Sequence, residues 1–71
     1  MATDPRQLAR LQVQRAPGDA IAWVELADAE LDAGDPRAGE HAAQRALVLA
    51  PGHPEALARL GRAQSLQGRG E

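Results

Sequence analysis

Seventy-one residues suffice for one small domain or a piece of one, and eight arginines against ten acidic residues leave a formal net charge of −2. That balance argues against a nucleic-acid-binding surface, and the absence of cysteine excludes a disulfide framework and thiolate metal ligation. Sixteen of the thirty-one apolar residues are alanine, so the core is expected to be thin. A chain this short buries on the order of 60% of the surface its unfolded form exposes.

Asp4–Pro5 is expected to start the first helix, with Asp as N-cap, proline at the first helical position and Gln7 placed for a capping box. Leu8, Leu11 and Val13 give it an apolar side as far as about Arg15, and Ala16–Pro17–Gly18 ends it. The second helix is expected from about Ala20 to Ala33, capped by Asp19 and closed by Gly34. Trp23, Leu26 and Ala27 fall at i, i+3 and i+4 and form one stripe along it. Asp35–Pro36 repeats the Asp–Pro start, so the third helix is expected over Pro36–Leu49, with Leu47 and Leu49 turned toward the next unit. His53–Pro54–Glu55 opens the fourth, which carries Leu57, Leu60, Gly61 and Ala63 and ends near Gln67–Gly68.

A shift of thirty-four residues superimposes the chain on itself. Pro17 falls on Pro51, Gly18 on Gly52, Ala22 on Ala56, Leu26 on Leu60, Ala29 on Ala63 and Gly34 on Gly68. Upstream, Ala9 falls on Ala43 and Ala16 on Ala50. Trp23 meets Leu57 and Ala27 meets Gly61, so eight of these ten pairs are identical. That period, with Trp23, Leu26, Ala27, Ala46 and Pro51 and then Leu57, Leu60 and Gly61, resembles the tetratricopeptide repeat (TPR). The resemblance implies an all-α fold: helix-turn-helix hairpins stacked as a short right-handed solenoid of four helices. Within a single domain at 1–71, residues 4–16 would be the second helix of an incomplete repeat. Residues 20–53 would be one complete repeat, and 54–71 the first helix of a following one. In this register Ala27 and Gly39 stand where the two helices of a hairpin approach most closely. The pattern's Tyr is replaced by Glu30 and its Phe by Ala43, which leaves two aromatic plugs missing. Gln12 replaces a patterned alanine.

The run QRAPGDAIAWVELADAELDAGD, with AGEHAAQRALVLAPGHPEALARLGRAQ after it, is similar to the N-terminal repeats of bacterial relatives of O-linked N-acetylglucosamine transferase. There such repeats precede a glycosyltransferase domain and guide protein substrates to it. That resemblance covers the repeat region alone, so it carries over no catalytic residue and implies a fragment of a larger protein. Animal members of that family line the groove with asparagines at the positions held here by Glu25 and Arg59.

The concave groove of a TPR stack is formed by successive first helices. Val24, Glu25, Asp28, Leu31, Arg59 and Arg62 are expected on or near it, with an acidic strip beside a basic one and two exposed aliphatic residues to hold an extended peptide. The competing reading of those charges is a solvated ladder of weak ion pairs. The structural positions are Trp23, Leu26, Ala27, Gly39, Ala46, Pro51, Leu57, Leu60 and Gly61, with Trp23 filling the space between its own hairpin and the preceding helix. His53 reads as a helix cap and His41 as an outer residue. Ser65 and Thr3 are the only hydroxyl side chains and no glycine-rich phosphate loop is present, so no enzyme activity, metal or cofactor is expected. A protein or peptide partner is expected, without nucleic acid or membrane. Two half-repeats with uncovered faces point to a homo-oligomer, possible through helix exchange. No apolar run has the length of a signal peptide or membrane span, and a cytoplasmic location is expected.

Overall fold

The computed structural model describes residues 4–68. The outer ends of the domain drawn at 1–71, Thr3 among them, lie outside the described residues. Those residues form four helices and no strand: α1 (Pro5–Arg15), α2 (Ala20–Asp32), α3 (Pro36–Leu49) and α4 (Pro54–Leu66). The architecture is all-α, with TPR-type helix-turn-helix stacking.

Local chemistry fixes where each helix starts. The first N–H groups of a helix have no partner within it, so a proline at the first position forfeits nothing. Prolines stand there in α1, α3 and α4. The residue before each supplies a side-chain acceptor: Asp4 takes the N–H of Arg6 at 2.9 Å, Asp35 that of Ala38 at 3.2 Å, and His53 Nδ1 that of Ala56 at 3.3 Å. Asp19 caps α2 by accepting from the N–H of Ile21 at 3.0 Å. The expected caps are therefore in place. At α1, however, the capping bond goes to the second helical residue, and Gln7 returns no side-chain bond to Asp4. α2 ends on Gly34, whose φ of +86° is one that side-chain-bearing residues avoid. The N–H of Gly34 donates to the Leu31 carbonyl at 3.1 Å and that of Asp35 to the Glu30 carbonyl at 2.9 Å, closing the helix with paired reverse bonds.

α2 is the central element: it packs most extensively on α3 and also touches α1 and α4. The Cα envelope of 39 × 29 × 14 Å is a slab about two helices thick, since packed helices lie roughly 8–10 Å apart. Its interior is built from small residues. Ala27, Ala43, Ala46, Ala56 and Ala63 have no solvent exposure, and Leu26 and Val13 are the larger members beside them. Alanine permits close approach, and at α2–α3 even alanine is too large on one side. A Cβ on Gly39 would stand 2.8 Å from Cγ of Leu31 and 3.3 Å from the Ala27 carbonyl oxygen. Ala27 and Gly39 thus mark the close approach expected of them.

Trp23 packs against both apolar clusters and so joins the hairpin to α1, as expected, but its ring stays partly exposed. Its Nε1 donates to the Pro17 carbonyl at 2.8 Å, tying α2 to the turn before it, and the Arg45 guanidinium lies 5.9 Å from the ring centroid, within cation–π range. Leu47 packs on the cluster containing Ala56, whereas Leu49, expected beside it, is exposed. Leu60 packs on the core, but Leu57 and Gly61 do not reproduce the burial of their counterparts. Leu57 is 49% exposed, and a Cβ on Gly61 would point into open space. Both expectations are corrected for one reason: no described helix lies against that side of α4. Pro51 is exposed, at the turn between α3 and α4.

Candidate protein-interaction surface

α2 and α4 occupy equivalent places in the repeat and lie in contact, so their shared surface is the candidate groove. The structure divides the six residues expected there. Glu25 is exposed, and Asp28, Arg59 and Arg62 are partly or well exposed. Val24 and Leu31 are instead buried, at 6% and 4% exposure. Val24 belongs to the cluster with Ala46 and Ala56, and Leu31 closes over Gly39. A wide apolar stripe on α2 carries them inward, so neither offers an aliphatic contact to a ligand.

The four charged residues form a polar surface that partly neutralises itself. Arg59 Nε lies 3.1 Å from Asp28 Oδ1, an ion pair without hydrogen-bond alignment. Arg62 reaches Asp28 at 3.8 Å and Asp32 at 3.6 Å. The acidic and basic strips therefore meet as a ladder between α2 and α4. Such exposed pairs contribute ~0–1 kcal/mol each, so they orient the helices more than they hold them. Glu25 forms no ion pair within the ladder and stands at its edge.

Glu30, which stands where the repeat pattern has Tyr, is buried in spite of its charge. Only 3% exposed, it lies on the opposite side from the ladder, against α1. Its Oε2 accepts from Arg10 Nε at 3.2 Å and Arg10 Nη2 at 2.8 Å, while Oε1 lies 3.9 Å from Arg6 Nη1 without a hydrogen bond. A buried carboxylate and two arginines of α1 thus occupy the level where the repeat pattern has an aromatic ring. The signal was available in the sequence: Arg6 and Arg10 lie four residues apart on one face of α1, and Glu30 occupies an inward register. Arg6 also donates through Nη2 to Asp4 at 3.1 Å. The backbone N–H of Arg6, followed by its side chain, holds the Asp4 carboxyl below the ordinary 3.8, and Asp4 in turn raises the Arg6 pKa.

The other junction, between α3 and α4, carries a hydrogen bond to a carboxylate. Gln67 Nε2 donates to Glu40 Oε1 at 2.8 Å and to the Ala63 carbonyl at 3.2 Å. His41 is exposed on α3, as expected. Among the described residues no group of three or more His, Asp or Glu is arranged to hold a metal ion, and no helix is long and apolar enough to cross a membrane.

A family model described as tetratricopeptide repeat matches residues 20–63, which span α2, α3 and most of α4. The chain belongs to the tetratricopeptide-repeat family. Neither a curated protein nor a solved structure matches it.

Proposed function

We propose that the chain is a protein-interaction module that holds an extended peptide along the surface shared by α2 and α4. The observation that carries this reading is the ladder of Asp28, Arg59, Arg62 and Asp32, with Glu25 at its edge. The side chains are half-exposed and weakly paired, so a ligand can exchange them for its own charges at little cost. Because Val24 and Leu31 are buried, recognition falls to charge and to the peptide backbone. The ligand favoured is a peptide with alternating acidic and basic residues.

Selection of displayed peptides against the immobilised chain, followed by calorimetric titration, tests this. Recovered peptides should lose roughly tenfold in affinity to Arg59→Ala or Asp28→Ala and weaken with salt. Peptides that bind both variants as well as the parent would remove the groove from the account. Two further readings rest on other features. The resemblance to bacterial relatives of O-linked N-acetylglucosamine transferase supports a substrate-guiding segment of a glycosyltransferase, inactive by itself and cytoplasmic. Exposed Leu8 and Leu11 on α1 and Leu57 and Leu66 on α4 support docking through the two ends of the stack.

A further inference from the structure

We infer that copies of this chain stack head to tail, with α4 of one copy and α1 of the next pairing as α2 and α3 pair within the chain. The inference rests on the protein-interaction reading and names one partner for its end surfaces, a second copy. In the thirty-four-residue register α4 corresponds to α2, and α1 (Pro5–Arg15) corresponds to residues 39–49 of α3. The α2–α3 contact is the most extensive among the described helices, and it is the one that α4 and α1 each lack among them. Their uncovered sides are therefore the two halves of one known interface.

Size argues that these halves fit each other. Where α2 presents Ala27 and Leu31 to Gly39, α4 has Gly61 and Ser65, and α1 has Pro5. The loss of bulk on α4 leaves room for the ring that replaces a glycine tolerating no Cβ. The same exchange recurs two turns along α1: Val24 packs with Ala46, and in the corresponding places Ala58 would face Gln12. Leu8 stands where α3 has the buried Ala42, and it is now exposed. The helix that shrank is matched by the helix that grew.

Charge argues for the same direction. Within the chain, Asp28 of α2 meets Arg59 and Arg62 of α4. Moved on by one repeat, those contacts place Arg62 of one copy against Glu25 and Asp28 of the next. The signs exchange and both of these pairs stay attractive, while the third, Arg62–Asp32, falls on Asp28 and Leu66 and is lost. Glu25, which has no ion-pair partner among the described residues, acquires one. A contact between unlike ends leaves one head and one tail free, so assembly continues until it closes or the concentration limits it.

End-blocked chains test this directly. Leu8→Glu blocks the head, and Gly61→Leu, or Leu57→Glu as a second variant, blocks the tail. All three positions are exposed, so each variant should keep the parent's helical circular dichroism. Light scattering coupled to size exclusion should show the parent growing beyond a dimer with concentration, each blocked chain monomeric, and an equimolar head-blocked and tail-blocked mixture forming a dimer. Glu25→Arg should weaken parent assembly roughly tenfold. A parent that stays monomeric at high micromolar concentration overturns the inference, as does a singly blocked chain that dimerises by itself, the mark of a symmetric contact or a helix exchange. A monomeric parent that still binds its selected peptide overturns the stacking alone, and a stacking chain that selects no peptide overturns the groove alone.

Discussion

α2 and α4 are the same helix twice by register, and they have opposite surroundings. α2 is in contact with α1, α3 and α4, so Ala27 is wholly enclosed and Leu26 nearly so. Among the described helices α4 touches α2 and α3 alone, and its Leu57 and Gly61 are exposed. The difference teaches that a repeat pattern specifies which residues pack, while a neighbour decides whether they do. A helix of this type is stable in proportion to what covers it, since isolated helices of such length are marginal in water.

The largest expected effect sharpens that comparison at its most informative pair. Trp23→Ala should cost ~3 kcal/mol in urea denaturation, because the ring bridges two clusters and its Nε1 anchors the Pro17 turn. Leu57→Ala, in the equivalent place, should cost less than ~1 kcal/mol in dilute solution. Equal losses would break the comparison. Next, Glu30→Ala should cost about 2 kcal/mol by freeing α1, below the figure for a fully buried pair because Arg10 is half-exposed and can return to water. Native-state hydrogen exchange would register this as loss of protection in α1, with α3 unaffected.

The two glycines should respond with opposite signs. Gly61→Ala gains helix propensity and meets nothing, so it should stabilise by about 1 kcal/mol. Gly39→Ala gains the same propensity but drives a Cβ into Leu31, and a net loss of about 1 kcal/mol is expected in urea denaturation. The smallest effect lies at the free end of α1. The folded pKa of Asp4 is depressed, so its contribution is present above the ordinary carboxylate value and is lost as pH falls through the depressed one. Acid titration followed by exchange at α1 amides should show fraying there, and Asp4→Asn should reduce that pH dependence.

Helix positions were legible in the sequence because they are set locally. Asp–Pro and His–Pro starts and positive-φ glycine ends need only neighbours along the chain. The close approach at Gly39 was legible for a related reason, since a repeat places the same small residue at the same contact. Burial across helices was harder to read. Val24 and Leu31 read as groove residues because register alone does not say how wide the apolar stripe of α2 is; Val24 packs with Ala46 and Ala56 and Leu31 closes over Gly39, while Ile21 of the same helix stays exposed. Glu30 reads in the sequence as a missing aromatic plug, and that Arg6 and Arg10 of another helix fill that level with it follows only from the packing of α1 on α2. Leu57 and Gly61 fit the repeat pattern and still lack its burial, which no pattern within α4 could reveal.

Amide hydrogen exchange in dilute solution tests most directly whether enclosure, and not helix sequence, separates α2 from α4. Amides of Leu26, Ala27 and Leu31 should exchange only through global unfolding, while those of Leu60, Gly61 and Ser65 should open at markedly lower free energy. Equal protection of the two helices would contradict the account.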